Sequence, residues 1–282
     1  MSDFNLLLTE IQKNMKKYPE TKDLVYGKDY VAKDLIHFER YFRIKENTDP
    51  HRSYQLTLVT KPYLHFKSVE TEATRQLAYQ HKIMNYHLLF QQKIDFAQLT
   101  KTDFAQMVHQ KKINPLVKTH WTKIYHQPQL PSLYLHGGFA TGKTFLFHRI
   151  IQQLMQTRKD FLFLRMPHLP RQIKEHLYDD TIEQKMNLLC EIPYLFFDNL
   201  GAEALTPYLR DNILFPVLDM RAEQKKHTFI NSNFDLRQLM HHFIIRPDEK
   251  EKMRALRIIH KLKKMCQFYA FDHCATEKEL LQ

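Results

Sequence analysis

The sequence has 282 residues, of which 43% are hydrophobic, so the chain can bury a full core and is expected to form two domains. No stretch approaches the ~18 apolar residues of a membrane-spanning helix. The apolar start at Leu6–Leu8 is soon followed by Glu10 and Lys13, which argues against a signal peptide. The net charge of +11 allows contact with nucleic acid or an acidic protein surface, but an A/T-rich genome would also produce this lysine-rich usage.

The three cysteines, Cys190, Cys266 and Cys274, cannot all be paired, and none forms a C-x-x-C motif. Reduced thiols in the cytoplasm are the simplest explanation. His273 lies between two of these cysteines, but its spacing fits no common pattern of zinc ligands. We therefore expect a cytoplasmic protein that holds no zinc and contacts no membrane.

The N-terminal third carries helical and strand patterns without any catalytic signal. In chain order we expect a helix over 3–17, a helix over 31–43, paired strands within 55–69 and a helix over 70–96. The prolines of the segment that follows indicate a connector with a short helix inside it. We place the boundary near residue 105, which gives an N-terminal domain of residues 1–105, a connector of residues 106–131 and a larger domain of residues 132–282.

The larger domain alternates strands with helices. Strands are expected at 132–136, 160–165, 193–198, 226–231 and 267–271, and helices at 144–157, 168–189, 207–224, 235–243 and 249–264. This alternation predicts an α/β fold with a parallel sheet and helices on both faces. Ligands bind such sheets at the carboxyl ends of the strands.

Only five glycines occur in the chain, and three of them lie in one octapeptide, Gly137-Gly138-Phe139-Ala140-Thr141-Gly142-Lys143-Thr144. The octapeptide matches the phosphate-binding loop G-x-x-x-x-G-K-[ST] between a predicted strand and a predicted helix, the context that the motif requires. Backbone N–H groups of such a loop cradle phosphates at a helix N-terminus. Lys143 is expected to reach the β- and γ-phosphates, and Thr144 to hold Mg²⁺. The sequence thus predicts binding of a nucleoside triphosphate.

Two later strands end in polar side chains. The apolar run before Asp198 has the pattern of a Walker B strand, whose aspartate holds the Mg²⁺ shell opposite Thr144. The next strand ends in the amides of Asn231 and Asn233, and an amide here can orient the attacking water or touch the γ-phosphate. The alternative is an Asn-rich turn that caps the next helix, and Asn233 could serve both purposes.

Three motifs together resemble a known family. They are Asp198-Asn199-Leu200-Gly201-Ala202-Glu203, Arg210-Asp211-Asn212-Ile213-Leu214 and Asn231-Ser232-Asn233-Phe234-Asp235. The larger domain is similar to bacterial replicative helicase loaders of the DnaI/DnaC type, with the primosomal DnaI branch as the closer match. The resemblance implies an AAA+ P-loop ATPase domain that uses ATP and Mg²⁺. Only eleven residues follow residue 271, so we expect no full helical lid.

The chain departs from the family at positions that matter for hydrolysis. The residue after the Walker B aspartate is normally acidic and polarises water, but here it is Asn199, which cannot act as a base. Glu203 is a candidate substitute. Lys261 aligns with the family's arginine finger and lacks the planar fork of arginine. No arginine follows Arg257, so the C-terminal sensor arginine is missing too. We expect secure ATP binding and weak ATPase activity.

The resemblance also implies partners. By resemblance the N-terminal domain binds the replicative helicase hexamer, and in DnaI it carries zinc on cysteines, whereas this chain has no cysteine before Cys190. Over residues 250–264, Lys250, Arg254, Arg257, Lys261 and Lys264 form one helical stripe, and Met253, Leu256, Ile259 and Leu262 are expected on the opposite face. The stripe suits weak contact with single-stranded DNA or with the nucleotide of a neighbouring subunit, which would involve self-association. A merely solvated basic face fits equally well.

Three other functions stay open. A transposase-helper ATPase has a closely related core but usually a DNA-facing N-terminal extension. A nucleotide-binding adaptor that does not hydrolyse ATP would explain Asn199 and Lys261. A metabolite kinase is the remote alternative, because the arginine-rich lid of such kinases has no counterpart in this sequence.

Overall fold

The structure is a computed structural model that describes residues 2–22, 24, 28–46, 54–59, 65–96, 132–139, 141–174 and 181–271. The chain divides into two compact units, residues 1–80 and residues 81–282. The predicted boundary near residue 105 and the connector at 106–131 lie outside the described residues and stay predictions. Within the described residues, no helix is both long and apolar enough to cross a membrane.

The smaller unit is mainly helical. It contains α1 (Ser2–Lys17), α2 (Pro19–Lys22), α3 (Lys28–Glu46), the strands β1 (Tyr54–Val59) and β2 (His65–Glu70), and the start of α4 (Glu72–Leu89). β1 and β2 form an antiparallel pair. The amphipathic helices α1 and α3 bury Ile11, Met15 and Phe38 together, and the ring of Phe66 packs edge-on against Phe38 with centroids 4.9 Å apart. The predicted strand pair and the helices predicted over 3–17 and 31–43 are confirmed, whereas the helix predicted over 70–96 ends at Leu89.

The larger unit is built on a five-stranded parallel sheet. Its strands are β3 (Ser132–Gly137), β4 (Phe161–Arg165), β5 (Tyr194–Asp198), β6 (His227–Ser232) and β7 (Cys266–Phe271), and they lie in the order β4-β5-β6-β3-β7. The helices are α5 (Lys143–Gln156), α6 (Leu169–Lys174), α7 (Thr181–Glu191), α8 (Phe215–Glu223), α9 (Leu236–Phe243) and α10 (Glu249–Met265). All six residues of β6 are buried, as expected for a parallel strand with both faces covered. The predicted α/β fold with a parallel sheet is confirmed.

Two predicted helices differ from the structure. In place of one helix over 168–189, a 3-10 turn at Met166–His168 leads into α6, and α7 starts at Thr181; residues 175–180 lie outside the described part. The predicted helix over 207–224 begins as a π-helical turn, Leu209–Leu214, before α8. Pro216 stands in the first turn of α8 and has no N–H to donate, so the regular α-helical ladder is interrupted there.

Side chains from α4 and from the segment after it contact the outer edge of the sheet. β4 is an edge strand, and its backbone would otherwise present unpaired N–H groups. The Phe163 N–H donates to Nε2 of His87 over 3.1 Å, and the Arg165 N–H donates to Oε1 of Gln92 over 3.2 Å. Nδ1 of His87 lies 2.8 Å from the Ile83 carbonyl, so this nitrogen carries the proton. These two side chains take the place of a neighbouring strand.

The hydrogen bond between His87 and the edge strand β4 predicts that the stability of the protein depends on pH. Burial lowers the pKa of His87 to about 4, below its ordinary value of 6.5, because desolvation penalises the charged ring, and the contact with the Ile83 carbonyl offsets only part of this effect. The neutral ring is also the form that accepts from Phe163. The stabilisation is therefore complete above pH 6.5 and is lost as the pH falls towards 4. We expect urea unfolding to show a larger loss of stability between pH 7 and pH 5 for the wild type than for His87→Gln.

The comparison isolates His87 because the other buried histidines are present in both proteins. Burial also lowers the pKa of His148 and His227, and their contribution cancels in the difference between the two unfolding curves. An equal loss of stability in both proteins would contradict the assigned role of the His87 ring.

Candidate nucleotide-binding site

Two glycines give the loop between β3 and α5 its shape. Gly137 has φ 138°, and a Cβ at this position would lie 2.4 Å from the Phe271 carbonyl oxygen, so no other residue fits. Gly142 has φ 93° and directly precedes α5. The loop thereby turns from the carboxyl end of β3 into a helix N-terminus, the geometry at which backbone N–H groups bind phosphate. Ala140, also predicted to bind the nucleotide, lies outside the described residues.

The loop lysine is folded onto the loop. Its ammonium nitrogen donates to the carbonyl oxygens of Gly137 and Gly138 over 2.8 and 2.6 Å, and it lies 3.2 Å from Oγ1 of Thr141. Lys143 is only 5% exposed, which places its charge inside the loop. In contrast, Phe139 is 70% exposed at the loop surface. A buried ammonium held by carbonyls, with no carboxylate among these partners, is well suited to receive a phosphate.

Three polar side chains meet at the carboxyl ends of β5 and β6. The Thr144 hydroxyl donates to Oδ1 of Asp198 over 2.7 Å, and the Asn231 amide donates to the same oxygen over 2.5 Å. Asn231 Nδ2 also lies 3.3 Å from Thr144 Oγ1. Hydroxyl and carboxylate oxygens are the ligands that Mg²⁺ prefers beside substrate phosphates. The residues predicted for Mg²⁺, Thr144 and Asp198, are adjacent and fit this ion chemically.

Asn231 is the side chain at this strand end that contacts Asp198, whereas the sequence analysis selected Asn233. The strand register pairs Phe197 with Ile230, so Asn231 stands beside Asp198 on the neighbouring strand. Asn233 lies beyond the strand end and is partly exposed. It does not cap the next helix, because α9 follows a capping box formed by Asp235 and Gln238. The spacing Asp235-x-x-Gln238 was the sequence signal for that cap.

Asn199 occupies a left-handed backbone position directly after Asp198. Its φ is 59°, a region in which asparagine and aspartate are enriched among non-glycine residues. Its backbone N–H donates to Oδ1 of Asn231 over 2.6 Å, and the Leu200 N–H donates to the Asn231 carbonyl over 2.9 Å. The turn after β5 is therefore bound to β6 through both the side-chain oxygen and the backbone carbonyl of Asn231.

Glu203, the candidate substitute base, takes part in a separate buried contact. It is 4% exposed, and its two oxygens meet the Gly201 N–H at 2.7 Å and Nε2 of His242 at 3.1 Å. Gly201 has φ 94°, and a Cβ there would lie 2.7 Å from the Phe234 ring. Glu203 thus holds a tightly packed turn against α9.

The basic helix differs from its predicted arrangement. Met253 and Leu256, expected on the apolar face of α10, are 55% and 38% exposed, while the buried face centres on Ala255, Ile258 and Leu262. Ile259 and Leu262 are buried as predicted. Met253 and Leu256 were predicted wrongly, because the buried face lies beside the basic stripe and not directly opposite it. Lys261, the aligned finger position, forms an ion pair with Asp219 of α8, which raises the pKa of Lys261.

No protein-family profile matches the chain. Over 131 residues it is 36% identical to the replicative helicase loader DnaI of Bacillus subtilis (strain 168), an alignment that covers 46% of this chain and 42% of that protein. The resemblance to helicase loaders of the DnaI/DnaC type is confirmed. The chain therefore matches less than half of the length of this curated relative.

Solved structures of similar proteins include two helicase loaders. The crystal structure of DnaI has 26% sequence identity and a TM-score of 0.49, and the match covers 65% of this chain and 92% of that chain. The crystal structure of the DnaC helicase loader has 19% identity and a TM-score of 0.42, and the match covers 56% of this chain and 88% of that chain.

Asn231 near the end of β6 and Asn233 just beyond it provide a matched test of the site. Asn231→Ala removes the donor to Asp198 and the acceptor for the Asn199 N–H, so we expect it to weaken Mg²⁺-dependent ATP binding by about 10-fold, the effect of one lost charge-assisted hydrogen bond. Asn233→Ala is expected to change it little. Equilibrium titration with a fluorescent ATP analogue, with and without Mg²⁺, measures both; a larger effect of Asn233→Ala would reverse the assignment.

Proposed function

We propose that this chain is an ATP-dependent helicase loader that binds the replicative helicase and helps to deliver it to DNA during replication initiation or restart. The observation that carries the proposal is the meeting of Lys143, Thr144 and Asp198 at one end of the sheet. The 36% identity to DnaI over 131 residues supports the same class of function. The helicase is the proposed partner by similarity, with residues 1–105 as its proposed binding domain.

In this proposal the phosphates of ATP bind at the N-terminus of α5. Lys143 exchanges its contacts with the loop carbonyls for the phosphate oxygens, to which an ammonium binds more strongly. Thr144 and Asp198 hold Mg²⁺, which neutralises charge on the phosphates. Asn231 keeps the Asp198 carboxylate oriented through its amide.

Weak hydrolysis is part of the proposal. Asn199 cannot take a proton from water, and both oxygens of Glu203 are already engaged by Gly201 and His242. These contacts favour the second candidate function, a nucleotide-binding adaptor that acts through binding rather than turnover. Contact of single-stranded DNA with exposed Lys250, Arg257 and Lys264 remains a proposal, as does self-association.

The proposed function predicts that the chain forms a complex with the helicase and that its ATP binding depends on Lys143. We expect the full chain to co-elute with its cognate replicative helicase in size-exclusion chromatography with ATP and Mg²⁺. Lys143→Ala removes one charge-assisted phosphate contact and should weaken ATP binding about 10- to 100-fold. Lys252→Ala, a change of the same size on the exposed side of α10, is the control.

The outcomes separate the candidate functions. Unchanged ATP affinity in Lys143→Ala would refute the phosphate-loop assignment. Normal ATP binding without any helicase complex would favour the transposase-helper alternative, and a pull-down with a transposase would then recover the partner.

Asn199→Asp restores a carboxylate at the position where the family carries one. Because a positioned base contributes about 10²–10⁴-fold, we expect steady-state ATP hydrolysis to rise at least tenfold while ATP affinity stays nearly unchanged. Asn199→Gly is the matched control, since glycine also accepts φ 59° but supplies no base. A fast wild-type rate that Glu203→Gln abolishes would instead assign the base to Glu203.

A further inference from the structure

A second cavity, here called the edge cavity, lies within the larger unit at the outer side of β4. Its volume is about 440 Å³, within the range of small-molecule sites. Its described walls come from β4, α5, α6 and the segment that follows α4. The phosphate-loop residues Gly137–Thr144 do not appear among its described lining residues, so it is distinct from the candidate nucleotide site.

The rim of the edge cavity is cationic. Lys93, Arg165 and Arg171 line it, together with the ring of His168. Asp95 is the one acidic side chain among its described lining residues. Three permanent positive charges against one negative charge favour an anionic occupant, and two of the three are guanidinium groups, whose planar forks match phosphate oxygens.

The interior of the edge cavity combines an apolar wall with amide groups. Ile94, Ile151 and Phe163 supply the apolar surface, and the amides of Gln92 and Gln172 lie 3.5 Å apart beside it. Gln92 is held in place because its carbonyl oxygen accepts from the Arg165 N–H. An apolar wall with fixed amide groups suits a planar heterocycle with hydrogen-bonding edges.

The edge cavity adjoins the strand that carries the candidate Mg²⁺ ligand. Arg165, at the cavity, is in register with Asp198 on the neighbouring strand. His148, which also lines the cavity, stands four residues beyond Thr144 on α5, and its ring centroid lies 5.6 Å from that of Phe163. An occupant would therefore contact the same strand and helix that hold Asp198 and Thr144.

We infer that the edge cavity binds a phosphate-bearing ligand of mononucleotide size, with its phosphate at Arg165, Arg171 and Lys93 and its base against Phe163 and Ile151. A free nucleotide and one nucleotide unit of a single DNA strand share this chemistry. The inference does not rest on the proposed helicase-loader function.

The test uses the full chain carrying Lys143→Ala, which weakens the phosphate-loop site and so separates the two sites. Isothermal titration calorimetry with AMP, adenosine and an oligodeoxythymidylate compares the probes. We expect AMP or the oligonucleotide to bind and adenosine to bind at least tenfold more weakly. Adding Arg171→Ala or Lys93→Ala should weaken the phosphorylated probe about 10-fold, as one lost charge-assisted contact does, whereas adding the exposed control Arg237→Ala should not.

Each outcome decides the inference. If the oligonucleotide binds tightly and AMP weakly, and Arg171→Ala removes the tight binding, the site is supported and its ligand is a nucleotide unit of a DNA strand. Binding of AMP that the oligonucleotide does not displace supports a free nucleotide. Absence of binding by both phosphorylated probes, or equal affinities in Arg171→Ala and Arg237→Ala, overturns it. Circular dichroism confirms that each variant is folded before its affinity is compared.

Discussion

One carboxylate oxygen joins the three elements of the candidate site. Oδ1 of Asp198 accepts from the Thr144 hydroxyl of α5 and from the Asn231 amide of β6, and the aspartate itself ends β5. A buried carboxylate is costly unless hydrogen bonds satisfy it, and these two donors do so. A Mg²⁺ ion bound to Asp198 and Thr144 would compete for the same oxygens. Asn231, which lies outside the phosphate loop, already contacts both of these oxygens.

The contacts of Asn231 continue through the larger unit as an unbroken set of hydrogen bonds. Asn231 fastens the turn after β5, whose Leu200 carbonyl accepts from Ser232, and Glu203 in that turn meets His242 of α9. The carbonyl of Phe243, at the end of α9, accepts from Arg210, which is fully buried and paired with Glu251 of α10 over 2.5 Å. Arg210 holds the pKa of Glu251 near 2, so this pair stays ionised. Hydrogen bonds thus link the turn after β5 to α9, and α9 through Arg210 to the basic helix α10.

The sequence predicts those features whose signal lies within one short segment of the chain. The phosphate loop, the strand before Asp198 and most element bounds follow from spacing along a single segment. The choice between Asn231 and Asn233 depends on the register of β5 against β6, which no local pattern contains. The faces of α10 were misjudged for a similar reason, since the exposure of Met253 depends on which helices pack beside it. The hydrogen bonds from β4 to His87 and Gln92 join residues 76 and 73 apart and had no sequence signal.

The backbone at Asn199 bears on why the site lacks a base. A φ of 59° favours glycine, asparagine and aspartate, so an aspartate would fit this turn as well as the asparagine does. The fold therefore does not require the amide. The backbone N–H, not the side chain, makes the contact with Asn231, so a carboxylate would leave that hydrogen bond intact. The backbone thus permits either residue at position 199, and asparagine there accords with the proposal that this chain binds nucleotide and hydrolyses it weakly.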